Sequence, residues 1–181
     1  MIGDSSTHAR RPAPGLVAPI RAVCFDWGGT LMVDDGPEGV PMSRWPEVAA
    51  VPGARKCLAA LHGRVPLCVA TNAAQSTRPM IEVALHRVDL RQFIDEVFCF
   101  TEIGFKKDRP EFWSAVQRRL AVPVNRIVMV GDSMEHDVVA PRSFGIQTVW
   151  FNPEGPRSGK AAESVAVVEL EEVVDLIKGV L

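Results

Sequence analysis

The stretch Arg21-Ala22-Val23-Cys24-Phe25-Asp26-Trp27-Gly28-Gly29-Thr30-Leu31 joins a short apolar run to a glycine-rich turn that opens on a carboxylate. An apolar run of this length predicts a buried β-strand over 20–26. Ligands of open α/β sheets lie just outside the carboxyl ends of the strands. Asp26, which stands at that end, is therefore a candidate nucleophile.

Strand-like and helix-like segments alternate along the rest of the chain. The other predicted strands are 65–70, 97–100, 126–130 and 147–151, and the predicted helices are 54–61, 78–88, 110–120, 134–144 and 170–177. Alternation of this kind favours parallel strands joined by right-handed crossovers. We predict an α/β fold, a three-layer α/β sandwich around a Rossmann-like parallel sheet of about five strands. Asp108 is expected to cap the 110–120 helix, whose first turn tolerates Pro110.

Composition favours one globular domain. The 181 residues are 47% hydrophobic and 23% charged, with a formal net charge of -2, which is enough to bury a core. We predict a flexible N-terminal arm over 1–19 and a single domain over 20–181. The arm holds no continuous apolar stretch, so we expect no signal peptide, no membrane partner and a cytoplasmic protein. The chain has no basic stripe, which argues against a nucleic acid partner.

Polar residues from four segments are expected to meet at one edge of the sheet. Asp26, Thr71 and Asp132 directly follow predicted strands, and Lys107 would join them from a loop. This set suits phosphoryl transfer, because a carboxylate can attack phosphorus while a hydroxyl and a lysine hold and neutralise the phosphate oxygens. Mg²⁺ prefers oxygen ligands, and Asp137 would bring the available carboxylates to three.

Four motifs, in this order, resemble those of the haloacid dehalogenase superfamily, which includes many phosphatases. They are Asp26-Trp27-Gly28-Gly29-Thr30, Thr71-Asn72, Lys107-Asp108-Arg109-Pro110 and Gly131-Asp132-Ser133-Met134-Glu135-His136-Asp137. The last motif, an aspartate pair five residues apart after an apolar strand, is fairly specific. The flanking strands fit the family fold as far as Phe151.

The resemblance implies a role for each matching residue. Asp26 would be the nucleophile, and Lys107 the catalytic lysine, since Lys107 and not Lys106 has the family's spacing from the following proline. Thr71 and the amide of Asn72 would bind the phosphate together with this lysine. The magnesium ligands would be Asp26, the backbone carbonyl of Gly28, Asp132 and Asp137.

Gly28 is a departure from the family pattern. The family's phosphatases usually carry at this position a second aspartate that protonates the leaving oxygen, and glycine has no side chain to do so. Loss of a positioned general acid typically costs about 10²–10⁴ in rate. Slow turnover, a substrate with a good leaving group, or a substitute acid would each be consistent with this change. Asp34 or Asp35 could reach inward as the substitute.

Two other branches of the family also lack the second aspartate. Phosphonoacetaldehyde hydrolases use a lysine in a cap domain, whereas the lysine between the first two motifs here, Lys56, is expected on a surface helix. The 2-haloacid dehalogenases need no metal, and the presence of both Asp132 and Asp137 speaks against their chemistry. A catalytically weak member that uses the fold for binding or assembly is a further alternative.

The intervals on both sides of Thr71-Asn72 are too short for a cap domain, and 33–53 is expected to form a turn or small flap. An uncapped site implies a large substrate or closure by a second subunit of a homo-oligomer, because something other than a lid must exclude water. We therefore expect a Mg²⁺-dependent hydrolase of the phosphatase type that acts on a phosphorylated substrate through an aspartyl-phosphate on Asp26.

Overall fold

The computed structural model describes residues 15–155 and 164–181, and its centre is a fully parallel sheet. The strands are β1 (Ala22–Phe25), β2 (Leu67–Thr71), β3 (Glu96–Cys99), β4 (Ile127–Gly131), β5 (Gln147–Phe151) and β6 (Val165–Val167). Their order is β3-β2-β1-β4-β5-β6, and every neighbouring pair runs parallel. Since β2 and β4 flank β1, the strand order reverses at β1, which is where ligands of such sheets bind.

Helices cover both faces of the sheet. They are α1 (Ala54–Leu61), α2 (Arg78–Arg87), α3 (Phe100–Ile103), α4 (Pro110–Leu120), α5 (Ala140–Ser143) and α6 (Leu170–Lys178). Side chains of β1 alternate between the two faces: Val23 and Phe25 pack with apolar residues of α1, α2 and α6. Ala22 and Cys24 pack on the other face with residues of α4. The predicted three-layer sandwich with a Rossmann-like parallel sheet is confirmed.

The structure differs from the sequence prediction in several local features, among them the short helix α3, which was not predicted. The sheet has six strands rather than about five, because the three-residue strand β6 is too short to give a clear apolar pattern. Asp108 does not cap α4, since Arg109 is the N-cap residue and makes no side-chain capping bond. The predicted helix 134–144 is a π-helical segment, Met134–Val139, followed by α5 with Pro141 in its first turn. That break gives the proline a position where its missing N–H is tolerated.

Part of the predicted N-terminal arm is held against the sheet. Residues 1–14 lie outside the described residues. Farther along, Val17 N donates to Gln147 Oε1 at 2.6 Å, and Gln147 Nε2 donates to Val17 O at 2.9 Å. This pair of bonds ties the segment just before β1 to β5. Within the described ranges, no helix is long and apolar enough to cross a bilayer.

The fully described segment between β1 and β2 contains a 3₁₀ turn, Met42–Arg44, and helix α1, but no cap domain. Arg87 of α2 holds this turn, because its guanidinium donates to Trp45 O at 2.8 Å and to Pro46 O at 2.9 Å. The segment is thereby fixed over the carboxyl end of the sheet, in the position expected of a small flap.

Candidate active site

Three carboxylates meet where β1 and β4 end. Asp26 directly follows β1, Asp132 directly follows β4, and Asp137 lies in the π-helical segment. Each offers an oxygen, and these oxygens all lie within 4.8 Å of one another. Because the adjacent strands are parallel and in register, the two strand ends deliver their aspartates to the same place. The expected convergence of these residues is observed.

Lys107 lies between two of these carboxylates. Its ammonium forms an ion pair and hydrogen bond with Asp26 and another with Asp137 Oδ1 at 2.6 Å. The lysine side chain is 2% exposed, that of Asp137 1% and that of Asp26 13%. Lys106 is exposed and lies 5.6 Å from the ring of Phe100. The structure therefore places Lys107, and not its neighbour, among the acidic residues.

Burial and neighbouring charges raise the pKa values of Asp26, Lys107 and Asp132. Burial raises the pKa of Asp26 to about 7, although attraction to Lys107 acts in the opposite direction. Burial alone would lower the pKa of Lys107, but its attraction to Asp26 and Asp137 raises it overall. Burial also raises the pKa of Asp132. In the protein without a cation, Asp26 is thus poorly disposed to carry its negative charge.

Asp132 is held by two residues whose role the sequence did not reveal. Thr30, which is fully buried, donates from Oγ1 to Asp132 Oδ1 at 2.9 Å and accepts from Asp132 N at 3.1 Å. Trp150 Nε1 donates to Asp132 O at 2.9 Å. A tryptophan near the end of a strand gives no sequence signal for such a bond.

Asp137 is fixed by a local turn and by a glycine. Asp137 Oδ2 accepts from Ser133 N at 2.9 Å, and Asp137 N donates to Ser133 O at 2.9 Å. A Cβ on Gly131 would overlap the Asp137 carboxylate, so glycine leaves the space that this side chain needs. The glycine of the last motif therefore has a packing role as well as a place at the strand end.

Thr71 and Asn72 lie at the end of β2, beside β1. Thr71 Oγ1 accepts from Ala73 N at 3.1 Å, which leaves the hydroxyl hydrogen available to a ligand. The side chain of Asn72 accepts from Lys107 N at 2.8 Å, and Trp113 Nε1 donates to Lys107 O at 2.9 Å. Asn72 and Trp113 thus position the lysine loop through its backbone, a contribution that the sequence analysis did not predict.

All the predicted site residues line one cavity of about 350 Å³. They are Asp26, Gly28, Thr71, Asn72, Lys107, Asp132 and Asp137. The small flap forms another wall, through Gly39, Val40, Pro41, Met42 and Trp45. Lys56 is not among the lining residues: its side chain is 83% exposed, and its ammonium lies 3.8 Å from Glu171.

A family model for haloacid dehalogenase-like hydrolases matches residues 42–145, more than half of the chain. The chain belongs to this family. The matched range begins after Asp26 and Gly28 and includes five of the predicted site residues, which are Thr71, Asn72, Lys107, Asp132 and Asp137. The resemblance inferred from the four motifs is confirmed.

Proteins similar to this chain include several phosphatases of the family. A phosphorylated carbohydrates phosphatase of Thermotoga maritima is 32% identical over 134 residues, which are 72% of this chain and 60% of the relative. The pyrimidine 5'-nucleotidase YjjG of Escherichia coli is 29% identical over 58% of this chain and 48% of the relative. This chain therefore spans only about half to three-fifths of the length of these curated relatives.

The fold is also shared with solved structures. A protein from Listeria monocytogenes serotype 4b superposes with a TM-score of 0.77 at 20% identity, covering 89% of this chain and 98% of that one. At this level of identity the likeness concerns the fold alone. It agrees with the Rossmann-like architecture described above.

Gly28, two residues after Asp26, faces the side chain of Asp34. A Cβ built on Gly28 would lie 2.6 Å from Asp34 Oδ2 and 3.0 Å from Asp34 Cγ. Asp34 also lines the active-site cavity, whereas Asp35 does not. His136, a third residue that could donate a proton, also lines the cavity, from the π-helical segment. Of these three candidate substitute acids, Asp34 is the one beside Gly28.

Proposed function

We propose that the chain hydrolyses phosphate monoesters through an aspartyl-phosphate on Asp26. The observation that carries this proposal is the position of Asp26, which follows the central strand and lines one cavity with Thr71, Lys107 and two further aspartates. Such a cavity combines a nucleophile, a hydroxyl donor and a cation around the place where a phosphoryl group would sit. The related phosphatases support the same reaction class.

The donor set fits Mg²⁺. Three carboxylates converge on one place against a single ammonium, so the site has an excess of negative charge before any phosphate arrives. Carboxylate and carbonyl oxygens are the ligands that Mg²⁺ takes. Asp26, Asp132, Asp137 and the carbonyl of Gly28 would hold it. When bound, the cation would supply positive charge that favours ionised Asp26 and offsets the charge of the phosphate.

The residues of the chain then have distinct tasks. Ionised Asp26 attacks phosphorus and displaces the leaving oxygen, and water later attacks the same phosphorus and releases Asp26. Thr71 donates its free hydroxyl hydrogen to a phosphate oxygen, and the backbone N–H of Asn72 donates to another. Lys107, held by Asp137, provides a fixed positive charge beside the reacting group.

The test is phosphate release from a panel of sugar, nucleoside and aryl phosphates, measured with and without a chelator. We expect release that disappears with the chelator and with Asp26→Asn. Chelator-insensitive halide release from 2-haloacids would instead indicate dehalogenase chemistry. The absence of turnover on either panel would favour the alternative of a binding or assembly protein.

Three wider expectations from the sequence accompany this proposal. The uncapped site would accept a large phosphorylated substrate or be covered by a second subunit of a homo-oligomer, and the protein would act in the cytoplasm. Size-exclusion chromatography with light scattering, run with and without a phosphate mimic, tests whether subunit association accompanies occupation of the site.

A further inference from the structure

The contact between Gly28 and Asp34 cannot be explained by backbone conformation. Gly28 does not have a positive φ, in contrast to Gly29, whose φ is 78°. An L-residue at position 28 would therefore suit the backbone, and the atoms that its Cβ would meet are those of the Asp34 side chain. The glycine leaves space beside the nucleophile loop for a carboxylate that comes from six residues farther along the chain.

Backbone hydrogen bonds fix the turn that brings Asp34 to this space. Leu31 N and Met32 N both donate to Trp27 O, at 3.0 and 2.9 Å, and Gly29 N donates to Met32 O at 2.8 Å. Val33 N then donates to Ala49 O at 3.0 Å. The chain is thus closed on itself just before Asp34, so the position of this residue depends on the turn and not on contacts of its own side chain.

The Asp34 carboxylate is not held by a hydrogen bond or an ion pair within the described part of the chain. Among residues 15–155 and 164–181, no hydrogen-bond or ion-pair partner of its side chain is found, although it is exposed to the cavity. The other acidic residues of the cavity, Asp26, Asp132 and Asp137, form the cluster with Lys107. His136, the remaining titratable residue of the lining, belongs to the π-helical segment next to Asp137. Asp34 is the one that lies beside Gly28 and takes no part in that cluster.

We propose that Asp34 is the catalytic acid and base of the reaction, a role that rests on the phosphatase function proposed above. As Asp26 forms its bond to phosphorus, the bond from phosphorus to the leaving oxygen breaks, and that oxygen takes the proton of the Asp34 carboxyl group. The resulting Asp34 carboxylate then takes a proton from water as the water oxygen bonds to phosphorus. The bond between Asp26 and phosphorus breaks, and the products are an alcohol and inorganic phosphate, with both aspartates restored.

The first experiment compares Asp34→Asn with the matched control Asp35→Asn on alkyl and aryl phosphates. An alkyl leaving group needs a proton, so turnover of alkyl phosphates by Asp34→Asn should fall by about 10²–10⁴. An aryl leaving group departs without one, so Asp34→Asn should still phosphorylate Asp26 with an aryl phosphate. The phosphoenzyme should then accumulate, because the attacking water lacks its base. Asp35→Asn should behave as the wild type on both substrates.

The second experiment moves the carboxylate back to position 28. Gly28→Asp alone introduces a clash with Asp34, whereas the double variant Gly28→Asp/Asp34→Ala removes it. The double variant should turn over alkyl phosphates at least tenfold faster than Asp34→Ala. A tenfold gain is a modest part of the rate that a positioned general acid contributes. A double variant no faster than Asp34→Ala would contradict the assignment.

The outcomes separate this proposal from the one on which it rests. Wild-type protein that neither turns over phosphate esters nor forms a phosphoenzyme would overturn both. Active wild-type protein whose leaving-group dependence is the same in Asp34→Asn would overturn only the role of Asp34. The same holds if folded Asp34→Asn fails to form the phosphoenzyme even with an aryl phosphate, since that loss would indicate a role in positioning.

Discussion

Replacing Lys107 by Met in the chelated protein should strongly reduce its stability. The substitution keeps most of the side-chain volume but removes the ammonium that lies between Asp26 and Asp137. Breaking a buried ion pair by removing one partner typically costs about 3–5 kcal/mol. Because two carboxylates lose the same partner here, we expect a loss of unfolding free energy in the upper half of that range. For a domain of this size, a loss of about 4–5 kcal/mol lowers Tm by about 8–20 °C.

The loss should grow with pH. Burial raises the pKa of Asp26 to about 7 in the presence of Lys107, and the pKa should rise further without it. An acid whose folded-state pKa is raised contributes stability below its unfolded pKa and loses that contribution as pH rises through the folded value. The difference between variant and wild type should therefore be smaller at about pH 5 than at about pH 8.

Urea unfolding in chelator at both pH values measures this effect, with Lys106→Met as the matched control. The ammonium of Lys106 is exposed and lies over the Phe100 ring, so its loss should cost no more than about 1 kcal/mol. Mg²⁺ should restore part of the stability of Lys107→Met, because it would replace the missing positive charge. A Lys107→Met protein as stable as Lys106→Met at both pH values would refute the reasoning.

Two further substitutions test how the acidic cluster is held. Thr30→Val keeps the shape of the side chain but removes both hydrogen bonds to Asp132. Calorimetry should show Mg²⁺ binding weakened by about 10–100-fold, as is typical when a residue that orients a metal ligand is lost. Unchanged affinity would show that the hydroxyl does not orient the carboxylate. Gly131→Ala should displace Asp137, costing about 1–3 kcal/mol in urea unfolding and weakening Mg²⁺ binding, whereas Gly15→Ala, with no atom near its added Cβ, should change neither. Equal effects of the two alanines would contradict the packing role of Gly131.

Much of the site could be predicted because its residues occupy strand ends. Each of two buried apolar runs predicts a strand, and Asp26 and Asp132 follow these runs. Since parallel strands end at the same edge of a sheet, the two aspartates also indicate which edge holds the site. The roles of Thr30 and Trp150 could not be predicted in this way. Each depends on how two loops distant in the sequence meet in the folded chain.

Other features depend on geometry that no local pattern carries. Asp34 stands in a sequence typical of a turn, and its approach to Gly28 follows from backbone bonds within the 27–33 loop and from Val33 to Ala49. The π-helical segment could not be inferred from apolar periodicity, which predicts one regular helix over 134–144. Short strand β6 lacks the length that makes a strand pattern recognisable.

The central claim is that Asp26 becomes phosphorylated during turnover. The most direct measurement is a single turnover of an aryl phosphate by the Mg²⁺-loaded protein, quenched in acid and analysed by peptide mass spectrometry. We expect one phosphoryl group on the peptide that contains Asp26, and none in Asp26→Asn or in chelated protein. Phosphate release without any phosphoryl group on Asp26, or turnover that survives Asp26→Asn, would contradict it.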